Sequence, residues 1–232
     1  MALVGLQNET NRKTWIETKL QEIPDGCLIL DAGAGERKFK PYCTHLRYVS
    51  QDFGQYNGSG DNKGLQTGSW NQDNLDIVSD IISIPRPDAS FDAIMCTEVF
   101  EHLPDPLLAL KEFSRLIKPQ GVLLLTAPFC SLTHFAPFHF VSGFNSYWYE
   151  KHLPAYGFHI IELEKNGNYF EFLAQEVRRI DGVANKYTNC KANLLERWIE
   201  KQLLKRLDRL SRQDTGSNEM LYFGCHVFAR KE

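Results

Sequence analysis

The chain has 232 residues, 43% of them apolar and 24% charged, with a formal net charge of −3. That length suits one well-buried α/β domain, no apolar run approaches the roughly 18 residues of a membrane span, and the acidic balance gives the molecule no general bias toward nucleic acid. The start, "MALVGLQNETNRKTW", lacks a basic region followed by a long apolar run, and Cys27, Cys43, Cys96, Cys130, Cys190 and Cys225 are scattered with no CxxC pair. Together these exclude a secretory signal and a zinc or redox cluster, so reduced thiols in a cytoplasmic setting are expected.

In chain order, short apolar runs alternate with helical patterns, as in βαβ units stacked into a parallel sheet. Seven strands are predicted: Cys27–Ala32, Arg47–Gln51, Ile77–Asp80, Phe91–Cys96, Val122–Ala127, Phe158–Glu164 and Leu221–Arg230. Leu107, Leu110, Phe113, Leu116 and Ile117 recur at helical spacing over Pro106–Ile117, and "KPQG" closes that helix. After the fifth strand, about 129–157 forms an insertion dense in aromatics and histidines, where a plain crossover needs only a few loop residues and a helix; such an insertion builds a pocket. A second, helical insertion is expected at about 171–212. Within it, residues 185–212 hold eight Lys or Arg and three acids around the apolar stripe Leu194, Leu195, Trp198, Ile199, Leu203, Leu207 and Leu210. This reads as one long amphipathic helix whose stripe packs on the domain or on a second copy in a homodimer. The whole chain reads as a single domain.

The first strand runs into "DAGAGERKF". In a doubly wound sheet, ligands bind at the carboxyl ends of the strands, where Gly33 and Gly35 sit. Glycine there permits positive φ and lets backbone amides approach a ligand, and the N-terminus of a following helix favours an anion. A dinucleotide pyrophosphate calls for G-x-G-x-x-G, but Lys38 stands at the third position. Asp31, ahead of the glycines, suits a ligand carrying an ammonium and a carboxylate, such as the methionine end of S-adenosylmethionine. Asp52, closing "YVSQD", can accept both ribose hydroxyls. The opposing reading is a tight strand-to-helix turn without a ligand.

"LILDAGAG", "SQD", "DIVSDIISIP", "SFDAIMCTEVFEHLPDP" and "LIKPQGVLLLTAPF" follow one another over residues 25–130, and "LYFGCHVFARK" closes the chain. In this order the sequence resembles the class I S-adenosylmethionine-dependent methyltransferases, in particular their type 11 subgroup. The resemblance implies a Rossmann-like doubly wound seven-stranded sheet, mostly parallel with an antiparallel last strand. It also implies S-adenosyl-L-methionine held by Asp31, Gly33, Gly35, Asp52, Asp80 and Ile81, with Asp80 at the adenine edge. A strand-end Asp such as Asp80 equally well caps a turn.

Methyl transfer to a hydroxyl needs a nucleophile aimed at the methyl and a destination for its proton. "TEVFEHLPDP" offers Glu98, Glu101 and His102 at the end of the fourth strand, as acid/base groups or as ligands for a hard divalent cation. The E-x-x-E-H pattern is similar to two metal-using groups, the O-methyltransferases of ubiquinone biosynthesis and those that methylate the terminal 2′-hydroxyl of small RNAs. By that resemblance Glu98, Glu101, His102 and His139 hold magnesium or manganese, with His134 the rival of His139. Without a metal, His102, His139 and Glu98 are the catalytic candidates, and the lid histidines alternatively pack without catalysing. Phe129, Phe135, Phe138, Tyr147 and Trp148 are expected to shape the acceptor pocket.

The expected activity is methyl transfer to a hydroxyl or amine of a small molecule such as a sugar, a quinol or a secondary metabolite, with no nucleic-acid or membrane partner. The alternatives are RNA 2′-O-methylation, motivated by the basic helix, and a cofactor-binding protein of the same fold without catalysis.

Overall fold

The computed structural model describes residues 3–232. All seven expected strands form: β1 (Leu28–Ala32), β2 (Arg47–Asp52), β3 (Ile77–Val78), β4 (Phe91–Thr97), β5 (Ile117–Pro128), β6 (Phe158–Asn166) and β7 (Gly224–Lys231). They make one sheet in the order β3-β2-β1-β4-β5-β7-β6. The pairs β3/β2, β2/β1, β1/β4 and β4/β5 are parallel, whereas β7 runs antiparallel to β5, Thr126 facing His226. The Rossmann-like sheet with an antiparallel last strand is therefore present. β1 and β4 are buried along nearly their whole length, and β5 from Leu123 to Pro128, as a sheet covered on both faces requires.

The helices are α1 (Asn8–Gln21), α2 (Pro106–Leu116), α3 (Ser146–Ala155), α4 (Tyr169–Tyr187) and α5 (Leu194–Arg212). α2 starts where its sequence says it should: the Asp105 side chain accepts from Leu107 N, and Pro106 occupies the first turn, where its missing N–H costs nothing. Its buried Leu110, Phe113 and Leu116 press the helix onto the sheet and so fix the loop that precedes it, residues 98–105.

Three expectations give way. The helix expected after Gly33 and Gly35 is absent: residues 33–46 are turns with one short helical turn at Lys40–Tyr42. Positive φ at Gly33, Gly35 and Arg37, followed by Pro41 without an N–H, prevents a continuous i→i−4 ladder. The single helix expected over 185–212 is two helices, because α4 ends at Tyr187 with extended Thr188 and a capping box of Asn193 and Glu196 starts α5. β3 stops at Val78, leaving Asp80 beyond the strand.

The chain makes two compact units. One comprises Thr14–Glu164 with Gly224–Glu232 and carries the sheet up to Glu164 of β6, together with every candidate site residue. The other comprises the N-terminal residues to Lys13 with Lys165–Phe223, built on Val4, Ala174 and Leu207. In it the Asn168 side chain caps α4 by accepting from Glu171 N, and Glu171 accepts from Gly5 N and from the Ser211 hydroxyl.

Candidate active site

The carboxyl ends of β1 and β2 are tied together by the glycine turn. Gly33 N and Ala34 N donate to Gln51 O at 2.9 and 2.8 Å, and Gly35 N donates to Asp52 Oδ2 at 2.9 Å. Both glycines have positive φ, and a Cβ on Gly33 would stand 2.5 Å from Val99 Cγ2. Asp31 is buried and accepts from the Tyr48 hydroxyl. Burial pushes its carboxyl up to about 7; the Tyr48 hydrogen bond works against the rise and the Asp52 charge adds to it. A buried acid held near neutrality suits a group that meets an ammonium.

Asp52 is also buried, and its Oδ1 accepts from Gly54 N at 3.0 Å and from Gln72 Nε2 at 2.7 Å. Gln72 belongs to residues 53–76, which carry only an isolated bridge between Leu65 and His134. Within this segment Trp70 lies against Gly35, and Tyr56 stacks on Phe135 with ring centroids 4.4 Å apart. Ile81 is buried. Asp80 is exposed and accepts from Ile82 N at 3.1 Å, the geometry of a turn cap.

At the end of β4 the chain turns sharply. Glu98 has φ +54°, a left-handed conformation that costs a non-glycine residue about 1 kcal/mol or more and concentrates at functional sites. Its carboxylate accepts from the Thr126 hydroxyl at 2.9 Å. The turn aims Glu101 inward, where it is 1% exposed and its Oε2 has no hydrogen-bond partner. Its Oε1 stands 3.7 Å from Nε2 of His102 and 3.7 Å from Nε2 of His134.

The protons on the two rings follow from their other contacts. His102 Nδ1 meets the Phe138 carbonyl and His134 Nδ1 meets the Leu132 carbonyl. A carbonyl only accepts, so each Nδ1 carries a hydrogen and the Nε2 of each ring is turned toward Glu101. Burial, reinforced by His134, pushes His102 down to about 3, so it is neutral at pH 7. Burial raises Glu101. It opposes a net rise at His134 that comes from the hydrogen bonds to Glu101 and the Leu132 carbonyl. Two imidazole Nε2 atoms and a carboxylate oxygen thus converge in the protein interior, where such groups need a proton or a cation between them.

The ligand atoms of Glu101, His102 and His134 lie within 4.8 Å of one another, the cluster among the described residues that can hold a metal. Imidazoles fixed through Nδ1–H to backbone carbonyls are the usual outer support of metal-bound histidine, so these residues fit a divalent cation. Glu98 and His139 fall outside the cluster. His139 stands 4.9 Å from His134 between ring centroids, with its Nε2 3.1 Å from the Ser131 hydroxyl; burial lowers its pKa.

Of the expected pocket aromatics, Phe135 stacks on His102 at 5.1 Å and Phe138 meets Phe53 edge-on at 4.9 Å. Trp148 packs with Phe100, Phe144 and Tyr149, and Tyr147 faces outward. Tyr48, Tyr56, Trp70 and Gln72 are additions that sequence reading did not supply. The signal for the last three was the length of 53–76, far more than a simple β-to-β crossing needs without a helix of its own.

The sheet order is that of the class I methyltransferase fold, with the glycine turn and two buried acids at the ends of β1 and β2. Residues 30–125 match the family model described as a methyltransferase domain. It is 27% identical over 124 residues to the ubiquinone biosynthesis O-methyltransferase of Leptothrix cholodnii, matching 50% of this chain and 49% of that one. The chain thus spans about half the length of this curated relative. Among solved structures it resembles a putative sarcosine dimethylglycine methyltransferase from Galdieria sulphuraria, with TM-score 0.57, 16% identity, and 96% of this chain and 86% of that chain covered. It also resembles phosphoethanolamine N-methyltransferase 2 of Haemonchus contortus in complex with S-adenosyl-L-methionine, with TM-score 0.54, 16% identity, and 96% and 52% covered.

Proposed function

We propose that the protein transfers a methyl group from S-adenosyl-L-methionine to a hydroxyl of a small molecule, using a divalent cation held by Glu101, His102 and His134. The observation that carries this reading is the convergence of two imidazole Nε2 atoms and a buried carboxylate near the carboxyl end of β4. The relation to an O-methyltransferase supports oxygen as the acceptor atom. Bound magnesium or manganese supplies a lowered pKa for the acceptor hydroxyl.

The chain's own residues do the remaining work. Asp31 faces the ammonium of the methionine end, and the turn Gly33–Gly35 brings backbone close to it. Asp52 accepts the ribose hydroxyls after exchanging its bond from Gln72, so residues 53–76 shift when the cofactor enters. Phe135, stacked on His102, walls the acceptor side against water. Asp80 and Ile81 border the adenine.

Asp52→Ala is expected to weaken cofactor binding by about 1.5–3 kcal/mol, the range for hydrogen bonds to a charged group; unchanged affinity by calorimetry would remove Asp52 from the site. The reaction itself is tested by a methyl-transfer assay across phenolic, sugar and short-RNA acceptors, with and without chelator. Transfer to a small hydroxyl compound, lost on chelation and restored by magnesium or manganese, is expected. Chelator-insensitive turnover would eliminate the metal, and turnover of RNA alone would eliminate the small acceptor.

A further inference from the structure

The sequence expects the stripe on α5 to be packed, yet of its members only Leu207 is buried. Leu194 is 87% exposed and Trp198 58%, with Leu195 and Ile199 exposed beside them. On α4, Ile180, Val183 and Tyr187 are exposed too, spaced to share one face. The two helices pack on each other and only residues 188–193 connect them, so both sets stand at the same end of the hairpin. Single exposed apolar residues are ordinary, but seven gathered at one hairpin end form a patch of the kind that marks an interaction site.

Charge decides what fits it. Residues 185–212 hold eight Lys or Arg against three acids, and Lys191, Arg197, Lys201, Lys205, Arg206 and Arg209 are exposed around and below the apolar tip. A second copy docking through the same patch would bring two positive faces together. Nucleic acid would match the charge but gives the aliphatic side chains of Leu194, Leu195 and Ile199 no apolar volume to enter. An anionic lipid surface answers both: phosphate headgroups meet the Lys and Arg, the acyl boundary receives the leucines, and Trp198 and Tyr187 have the amphipathic rings that settle between the two.

We propose that the tip of the α4–α5 hairpin docks the protein on an anionic lipid surface. No helix among the described residues is long and apolar enough to cross a membrane, so the contact is peripheral. The proposal does not depend on the reaction catalysed.

The test is co-sedimentation of the full chain with phosphatidylglycerol/phosphatidylcholine vesicles and with pure phosphatidylcholine vesicles over a salt series. Binding to the anionic vesicles that weakens as salt rises, with little binding to the neutral ones, is the expected result. Leu194→Ser/Trp198→Ser should weaken it by roughly tenfold or more. Lys201→Gln/Lys205→Gln/Arg209→Gln should weaken it on the order of a hundredfold, about fivefold per charge near the surface. Circular-dichroism melting confirms that the variants are folded; should a multiple variant melt early, Lys201→Gln alone is expected to show the fivefold loss. The proposal is overturned if folded wild type ignores anionic vesicles or if the variants bind as wild type does. It is equally overturned by a dimer in sedimentation velocity that Leu194→Ser/Trp198→Ser dissociates, or by tighter binding of single-stranded RNA than of vesicles.

Discussion

Replacing Glu101 by glutamine is expected to lower kcat for methyl transfer by about 10²–10⁴-fold, the usual contribution of a positioned acid/base or metal-bound group. The substitution keeps the shape of a side chain that is 1% exposed and removes only its charge. Without the carboxylate, the Nε2 atoms of His102 and His134 lose the anion that completes their cluster, so neither a cation nor the acceptor's proton has a place to go. Affinity for S-adenosylmethionine should be unchanged, because Glu101 lies just past β4 and the residues proposed for the cofactor lie at or beyond the ends of β1, β2 and β3. Fold stability should hold or rise, since an acid whose pKa burial has raised is costly to keep ionised. Near-normal turnover in a correctly folded Glu101→Gln protein would rule out the cluster as the catalytic centre. His102, whose pKa burial pushes down to about 3, is too weak a base to hold the acceptor proton, which favours the proposed coordinating role over general-base catalysis.

The second large effect concerns Asp31, whose carboxyl burial pushes from 3.8 up to about 7. Between those values the native protein holds a proton that the unfolded chain has released. Stability of the cofactor-free protein therefore falls as pH rises from about 4 to about 7 and levels off above, with a total of order 4 kcal/mol for three units. Asp31→Asn removes this dependence and should make the free protein a few kcal/mol more stable at pH 8, less whatever Tyr48 loses by donating to a neutral group. The cofactor reverses the sign. Its ammonium favours ionised Asp31, so wild-type affinity should tighten as pH rises through about 7, while the Asn variant binds weakly at every pH. Urea unfolding at pH 5 and 8, paired with calorimetry, reads both effects. Equal stability of wild type at the two pH values would sink the argument.

Elements whose pattern is local were legible. β1 and β4 read as strands because buried parallel strands are apolar throughout, and Asp105-Pro106 announces α2 through cap and first-turn chemistry that needs no distant partner. The break between α4 and α5 was written in "NLLE", the capping box of Asn193 and Glu196, although the continuous apolar stripe obscured it. Residues 53–76 were not legible, because a loop has no period and its position depends on Phe135 and His134, far away in sequence. The choice between His134 and His139 had the same character: five residues apart in an irregular segment, they differ in that His134 reaches the Leu132 carbonyl and Glu101 while His139 reaches the Ser131 hydroxyl.

By itself, the amino-acid order determined the strand content of the sheet and the glycines and acids at its carboxyl edge, since alternation, turn residues and caps act over a few neighbours. Only the folded chain decided that Glu101 meets His102 and His134, that Gln72 holds Asp52, and that the tip of the α4–α5 hairpin stays uncovered. Those outcomes depend on burial and on contacts between distant segments, which set where a charge is desolvated and which polar groups face one another.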